Sequence, residues 1–214
     1  MNKMVLKRIV DVALSIDMIL LLSFTVTGMA VHEYLGIMML VLVIVHQILN
    51  RHFYKSLKKR AKRPFLIYLR TIDLLLLLCF VGLMLSGLSM SSYVKTFLHG
   101  LIPMILARRL HLGLSYYMMI LFGLHLGAHI DLKRFGDEKL LPLLKIMGLI
   151  PALIGLWIFI RFQGFAHLTF SLVFANGSGS PVFFLTVIEV ILMAFPFVYL
   201  GMLIRNKILS KKYN

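Results

Sequence analysis

Long apolar stretches, separated by short basic or glycine-bearing segments, set the pattern of the chain. A membrane-crossing helix needs about twenty mostly apolar residues. Stretches near 9–29, 31–50, 66–90, 108–130, 140–161 and 182–204 meet that rule and predict six transmembrane helices. No strand-like alternation of apolar and polar positions runs through them, and backbone groups in hydrocarbon must be satisfied within their own segment. The pattern therefore predicts an all-α, polytopic membrane protein. Its expected organisation is a four-helix bundle over residues 1–136, followed by two further helices with an outer loop over 137–214.

The bundle reads as two helix-pair repeats, 1–60 and 64–136, each made of a lead helix and a histidine-bearing helix. Arg8-Ile9-Val10-Asp11 opens the first lead helix, and Arg70-Thr71-Ile72-Asp73 opens the second. Each later reaches a small-residue turn, Thr27-Gly28 in one and Ser86-Gly87 in the other. The halves differ at the outer connection. His32 follows Gly28 almost at once, whereas Leu88 to Arg109 is inserted ahead of His111 and predicts an outer cap. Gly36, Gly113, Gly123 and Gly127 on the histidine helices are expected to let backbones or a macrocycle approach closely. In the last third, Pro142 and Pro151 are candidate kinks, and the aromatic stretch Phe165 to Phe174 leads into the flexible turn Asn176-Gly177-Ser178-Gly179-Ser180.

Composition sharpens the class. Sixty per cent of residues are hydrophobic and the mean hydropathy is +0.94, too apolar for a soluble domain. The net charge of +15 would suit nucleic acid, but the basic residues sit at span ends, where anionic lipid headgroups are the expected partner. The main cluster, Arg51, Lys55, Lys58, Lys59, Arg60, Lys62 and Arg63, joins spans two and three. Lys3, Lys7 and Arg8 precede span one, and Arg205, Lys207, Lys211 and Lys212 follow span six. The positive-inside rule then places both termini in the cytoplasm, and the expected location is a bacterial cytoplasmic membrane. The run from Ile9 to Met29 is too long for a signal-peptide core and is expected to stay as a first helix. Cys79 is the only cysteine, which excludes an internal disulfide and the usual covalent haem attachment.

Chemistry enters through the histidines. His32 and His46 lie fourteen positions apart on one span, and His111 and His125 repeat that interval on another. Fourteen residues return to within about 40° of the same helix face, and the interval closes in a bundle supercoiled to 3.5 residues per turn. Each pair is separated by roughly 21 Å along its axis. Both histidine helices are expected to run from outside to inside, so His32 comes level with His111 and His46 with His125. Two haem b groups, each taking one imidazole per face, would give these four intramembrane ionisable groups the partners they need. His129 rivals His125, because it lies five helical turns from His111. The first half has Asn50 at that place, so His129 is expected at the inner interface. Arg51 at the inner edge, with Arg108 and Arg109 at the outer edge, are candidate partners of haem propionates, snorkelling to the interface being the plain alternative. A zinc or copper site is disfavoured, since no carboxylate or thiolate joins three of these histidines at one level. Asp11 and Asp73 have Arg8 and Arg70 as neighbours to pair with, and Asp17 is a candidate proton relay. His52, His99 and His167 fall at membrane edges or in loops, His99 or His167 being a minority candidate for a quinone site.

The segments His32-Glu33-Tyr34-Leu35-Gly36, His46-Gln47-Ile48-Leu49-Asn50, His111-Leu112-Gly113 and His125-Leu126-Gly127 resemble a domain-of-unknown-function family of flavinylation-associated membrane cytochromes b. The similarity extends to Gly155-Leu156-Trp157-Ile158-Phe159-Ile160 and Pro181-Val182-Phe183-Phe184. More distantly, the paired histidines are similar to the di-haem cytochrome b subunits of quinone-linked dehydrogenases. The resemblance implies transmembrane electron transfer beside extracytoplasmic proteins that carry FMN, and it carries the haem-ligand pattern onto His32, His46, His111 and His125. The departure is Asn176, where an acidic residue is expected. The expected function is an electron-transfer subunit, not a stand-alone enzyme, linking a quinone pool or cytoplasmic donor to an outer flavin or other redox partner. The alternatives are a small transporter using midplane histidines without haem, and a component of a reductase acting on a small acceptor.

Overall fold

The computed structural model describes residues 2–57, 63–91, 102–131, 141–174 and 182–210. Among the described residues the chain is helical, without a strand. The elements are α1 (Lys3–Leu22), α2 (Phe24–Leu49), α3 (His52–Leu57), α4 (Pro64–Met90), α5 (Met104–His129), α6 (Leu141–Arg161), α7 (Gly164–Leu168) and α8 (Phe183–Ser210). Four of them, α2, α4, α5 and α8, are long and apolar enough to cross a membrane. This is an all-helical membrane protein. The expectation of six spans is met by length and composition for these four. Lys3, Lys7, Arg8, Asp11 and Asp17 interrupt the apolar run of α1, and the apolar part of α6 is the shorter stretch Ile146–Arg161.

The boundaries shift where the sequence pattern was read by hydropathy alone. Pro64 takes the first helical position of α4, where a missing N–H costs nothing. Helix α5 starts at Met104, ahead of the expected start near 108, so Arg108 and Arg109 lie inside it. Helix α8 continues to Ser210, which places Arg205 and Lys207 on the helix and not beyond it. Lys58, Lys59, Arg60, Lys62, residues 92–101 of the inserted outer segment with His99 among them, the turn around Asn176, and Lys211 with Lys212 lie outside the described residues.

The chain divides into two compact units, Met1–Ala61 with Gly177–Val190, and Lys62–Asn176 with Ile191–Asn214. In the first, α1 and α2 form an antiparallel hairpin with almost no loop. Buried Ser23 carries the helical bonding on toward the turn: its N–H bonds to the Ile19 and Leu20 carbonyls at 3.1 and 3.2 Å, and its hydroxyl donates to Ile19 O at 2.8 Å. Gly28 then leaves helical geometry at φ 74°, a left-handed conformation open to a residue without Cβ. The regular part of α2 therefore restarts just before His32.

In the second unit α4 and α5 run antiparallel, with Cys79 Sγ 3.3 Å from Leu114 O. Small residues let the later helices in. A methyl group at Gly123 or Gly127 would collide with the α8 backbone around Ala194 and Val198, and one at Gly201 would collide with Leu124. Gly155 of α6 meets the Leu192 carbonyl in the same way. The glycine stripe of α5 thus receives protein in this unit. Gly113 is likewise filled, by the Phe170 ring and the His167 carbonyl, and only Gly36 of the four expected glycines faces open space. The aromatic stretch after α6 folds back on α5 through α7, with Tyr117 stacked on Phe170. Asp131 closes the unit through a 3.1 Å ion pair with Arg205.

Candidate functional site

His46 and His125 are each braced by an aspartate of their own lead helix. His46 Nδ1 lies 2.9 Å from Asp11 Oδ1 in the first unit. His125 Nδ1 lies 2.7 Å from Asp73 Oδ1 in the second. An ionised carboxylate only accepts, so Nδ1 is the donor in both pairs. Both contacts give Asp11 and Asp73 a partner other than the neighbouring Arg8 and Arg70 that the sequence suggested. An arginine three residues earlier is near in sequence, but the antiparallel partner helix brings an imidazole directly opposite the carboxylate.

His111 is held differently. Its Nδ1 lies 3.3 Å from the Leu83 carbonyl and 3.4 Å from Ser86 Oγ. Ser86 and Gly87 lie inside α4 and do not form a turn. Gly87 makes the approach possible, since a Cβ there would stand 3.1 Å from His111 Cε1. His32 packs edge-on to Phe24, ring centroids 5.2 Å apart, with the Leu21 backbone as a hydrogen-bonding neighbour.

The two units repeat this arrangement in register. Asp11 to Asp73 and Leu21 to Leu83 are each 62 positions apart, and His32 to His111 and His46 to His125 are each 79 apart. The residue four places after His46 and after His125 also keeps its post. Asn50 Nδ2 lies 3.4 Å from His46 Nε2 and its Oδ1 accepts from Lys7 Nζ at 2.8 Å, while the His129 ring sits 4.8 Å from that of His125.

Against family models, curated proteins and solved structures, the chain finds no match.

The remaining expected residues take less organised places. Arg51 and Arg109 are exposed, and Arg108 lies over the Phe174 ring, 5.7 Å from its centre. His52 is exposed at the start of α3. Asp17 is fully buried, and neither carboxylate oxygen has a hydrogen-bond partner. His167 is not a solvated loop residue: it is buried, stacked at 4.1 Å and 8° on Tyr116. Burial lowers its pKa from the ordinary 6.5.

Among the described residues no three His, Cys, Asp or Glu side chains cluster as a metal site. What the chain offers is single imidazoles with the second nitrogen engaged. That is the donor chemistry of metal-ligating histidine, whose other N–H is almost always held by a carboxylate or a carbonyl. His46, His125 and His111 fit axial haem ligation on this criterion. The signal for the braces was present in sequence as the repeated Arg-x-x-Asp, read there as a local ion pair.

Proposed function

We propose that this protein is a transmembrane electron carrier with two b-type haems, His32 and His111 serving one and His46 and His125 the other. The observation that carries this reading is the carboxylate on Nδ1 of both His46 and His125. A histidine whose only task is packing has no need of an acid at the same nitrogen in two sequence-related helix pairs. Bound haem would supply one-electron exchange between ferric and ferrous iron, and bis-histidine ligation leaves no open position for oxygen. The chain's own part is to fix the tautomer, present Nε2 and exclude water with apolar helices. His32 joins the set through the shared fourteen-residue interval.

In this reading the protein has six spans, lies in a bacterial cytoplasmic membrane with both termini inside, and belongs with the flavinylation-associated cytochromes its motifs resemble. A quinone pool or cytoplasmic donor supplies electrons, and an extracytoplasmic flavin-bearing or other redox protein takes them. Arg51, Arg108, Arg109 and His129 are the residues suited to propionates at the two edges. An optical spectrum of the purified full-length protein from haem-replete cells tests the proposal. Low-spin haem b at about two per chain is expected from four axial ligands. A colourless preparation overturns it in favour of a haem-free transporter.

A further inference from the structure

Asp17 lies inside the α1/α2 hairpin without a donor to meet it. The residue has no exposed surface, and neither oxygen has a hydrogen-bond partner among the described residues. It stands seven places after buried Val10 on the same face of α1. The contacts of Lys7 with Asn50 and of Asp11 with His46 fix the register of the hairpin, four residues forward on α1 for four back on α2. That register brings Asp17 level with Met39 and Leu40, and Met39 is the residue that α2 buries. The titratable groups of α2 on either side are His46 toward one end and Glu33 and His32 toward the other, roughly 9–12 Å along the axis. Asp11 on α1 is about as far, and Glu189 is the charged residue on the α8 segment of this unit. None of them bonds to Asp17.

The second unit shows what this position requires. The 62-residue offset that carries Asp11 onto Asp73 and Leu21 onto Leu83 carries Asp17 onto Cys79. Cys79 is buried too, and its thiol donates to the Leu114 carbonyl at 3.3 Å. Leu114 is the counterpart of Leu35 by the 79-residue offset of the histidine helices. The position thus holds an uncharged donor turned to the backbone of the facing helix. A carboxylic acid is such a donor, whereas a carboxylate can only accept. An ionised carboxylate buried without a partner is costly enough that the group neutralises instead.

We infer that Asp17 is a proton-binding site, its carboxyl holding a proton while the α1/α2 hairpin is closed and opening the hairpin to water when the proton leaves. On release the O–H bond breaks, the electron pair stays on the carboxylate and the proton passes to water. The anion then needs donors that the two helices do not offer it, and water is the donor that can come. The hairpin is suited to admit it: α2 buries one residue along its length, and Gly36, one turn from Met39, has nothing within 4 Å of where a Cβ would stand. A metal cation would need several oxygen ligands around it, and no cluster of three acidic, histidine or cysteine side chains is present among the described residues. Nothing in this inference depends on haem.

Infrared and hydrogen-exchange measurements on the full-length protein test it. At neutral pH wild type should show a protonated-carboxyl C=O band that shifts in heavy water and is missing in Asp17→Asn. Raising the pH should abolish the band reversibly. Above its midpoint the amide protection of α2 should fall by about tenfold per pH unit, beyond the intrinsic rise in exchange, because opening is linked to the loss of one proton. Asp17→Asn should keep its protection across the same range. Should that variant fail to fold, Asp17→Cys supplies the donor that the second unit uses, and is expected to lack the band and stay protected at neutral pH. A wild-type spectrum identical to that of the variant at neutral pH overturns the inference, as does loss of the band with α2 protection unchanged. Protection that follows sodium concentration and not pH overturns it in favour of a cation site. Haem content enters neither readout, so the inference and the haem reading fail separately.

Discussion

The α1/α2 hairpin and the α4/α5 pair brace their histidines alike and pack them differently. Helix α5 buries Ala107, Gly113, Met118, Met119, Gly123, Gly127 and Ala128, whereas α2 buries Met39 alone. The aspartates follow the same division, Asp11 being about half exposed and Asp73 about a quarter. The cause is local. In the second unit α7 and the end of α8 close over the glycines of α5, while in the first α1 is the helix that runs along α2. A hydrogen bond that recurs when the packing around it does not is a bond with a purpose other than packing. Removing either end of it should therefore have the same effect in both units.

The largest expected effect tests that equivalence. Under the proposed pairing, His46→Ala and His125→Ala should each take the haem content from about two per chain to about one, since each would remove one of the two axial ligands proposed for one haem. A spectrum quantified against protein concentration decides it. Loss in His125→Ala alone would mean that only the well-packed unit binds a cofactor, and the parallel between the halves would fail.

Glycine substitutions separate the halves by stability. Gly127→Ala places a methyl group against the Val198 carbonyl and the Met202 nitrogen, and overpacking of that kind costs about 1–3 kcal/mol. Gly36→Ala meets nothing within 4 Å, so the protein alone should gain about 0.5–1 kcal/mol from helix propensity. Thermal unfolding in detergent reads both. A Gly36→Ala protein that is stable yet poorer in haem would show that the open place on α2 is kept for the macrocycle; unchanged haem content would remove Gly36 from the site.

Much of this was legible in the chain. Hydropathy located α4 and α6 within a few residues, and the repeat of Arg-x-x-Asp and of the histidine interval announced two related helix pairs. Tertiary partners were not legible. Asp11 and Asp73 looked like mates of Arg8 and Arg70, because sequence shows only neighbours on one helix and not what the antiparallel helix presents. Ser86-Gly87 looked like a turn because both residues favour turns. Inside α4 they instead give an imidazole room and a hydroxyl. Gly123 and Gly127 looked open to a backbone or a macrocycle, and the α8 backbone is what comes, since a small residue records that something comes close and not what it is.

The reversal at Gly28 is a smaller point of contrast. At the corresponding Ser86-Gly87 of the second unit α4 passes through without a break. With φ at 74°, Gly28→Ala forces a left-handed alanine even though no atom crowds it, a strain of about 1–2 kcal/mol. Gly87→Ala keeps helical geometry and instead presses on His111 Cε1. The first should lower the unfolding temperature with the haem spectrum unchanged in shape, and the second should alter the spectrum more than the temperature. Equal behaviour of the two variants would erase the distinction.

The smallest expected effect belongs to the second unit and is read by pH. His167 is buried against Tyr116 outside the spanning helices, and its pKa is lowered from 6.5 by that burial. The folded protein holds it neutral at pH values where the unfolded chain has begun to bind a proton. Below about 6.5 the unfolded state therefore carries more protons, and stability falls as pH falls; above 6.5 the full contribution is present. His167→Phe keeps an aromatic ring on Tyr116 and removes the titration. Its unfolding temperature should decline less between pH 6.5 and 5 than that of wild type, with every other acid-sensitive group common to both. Parallel pH profiles for the two proteins would mean that His167 contributes packing alone and that the acid response of the fold arises elsewhere.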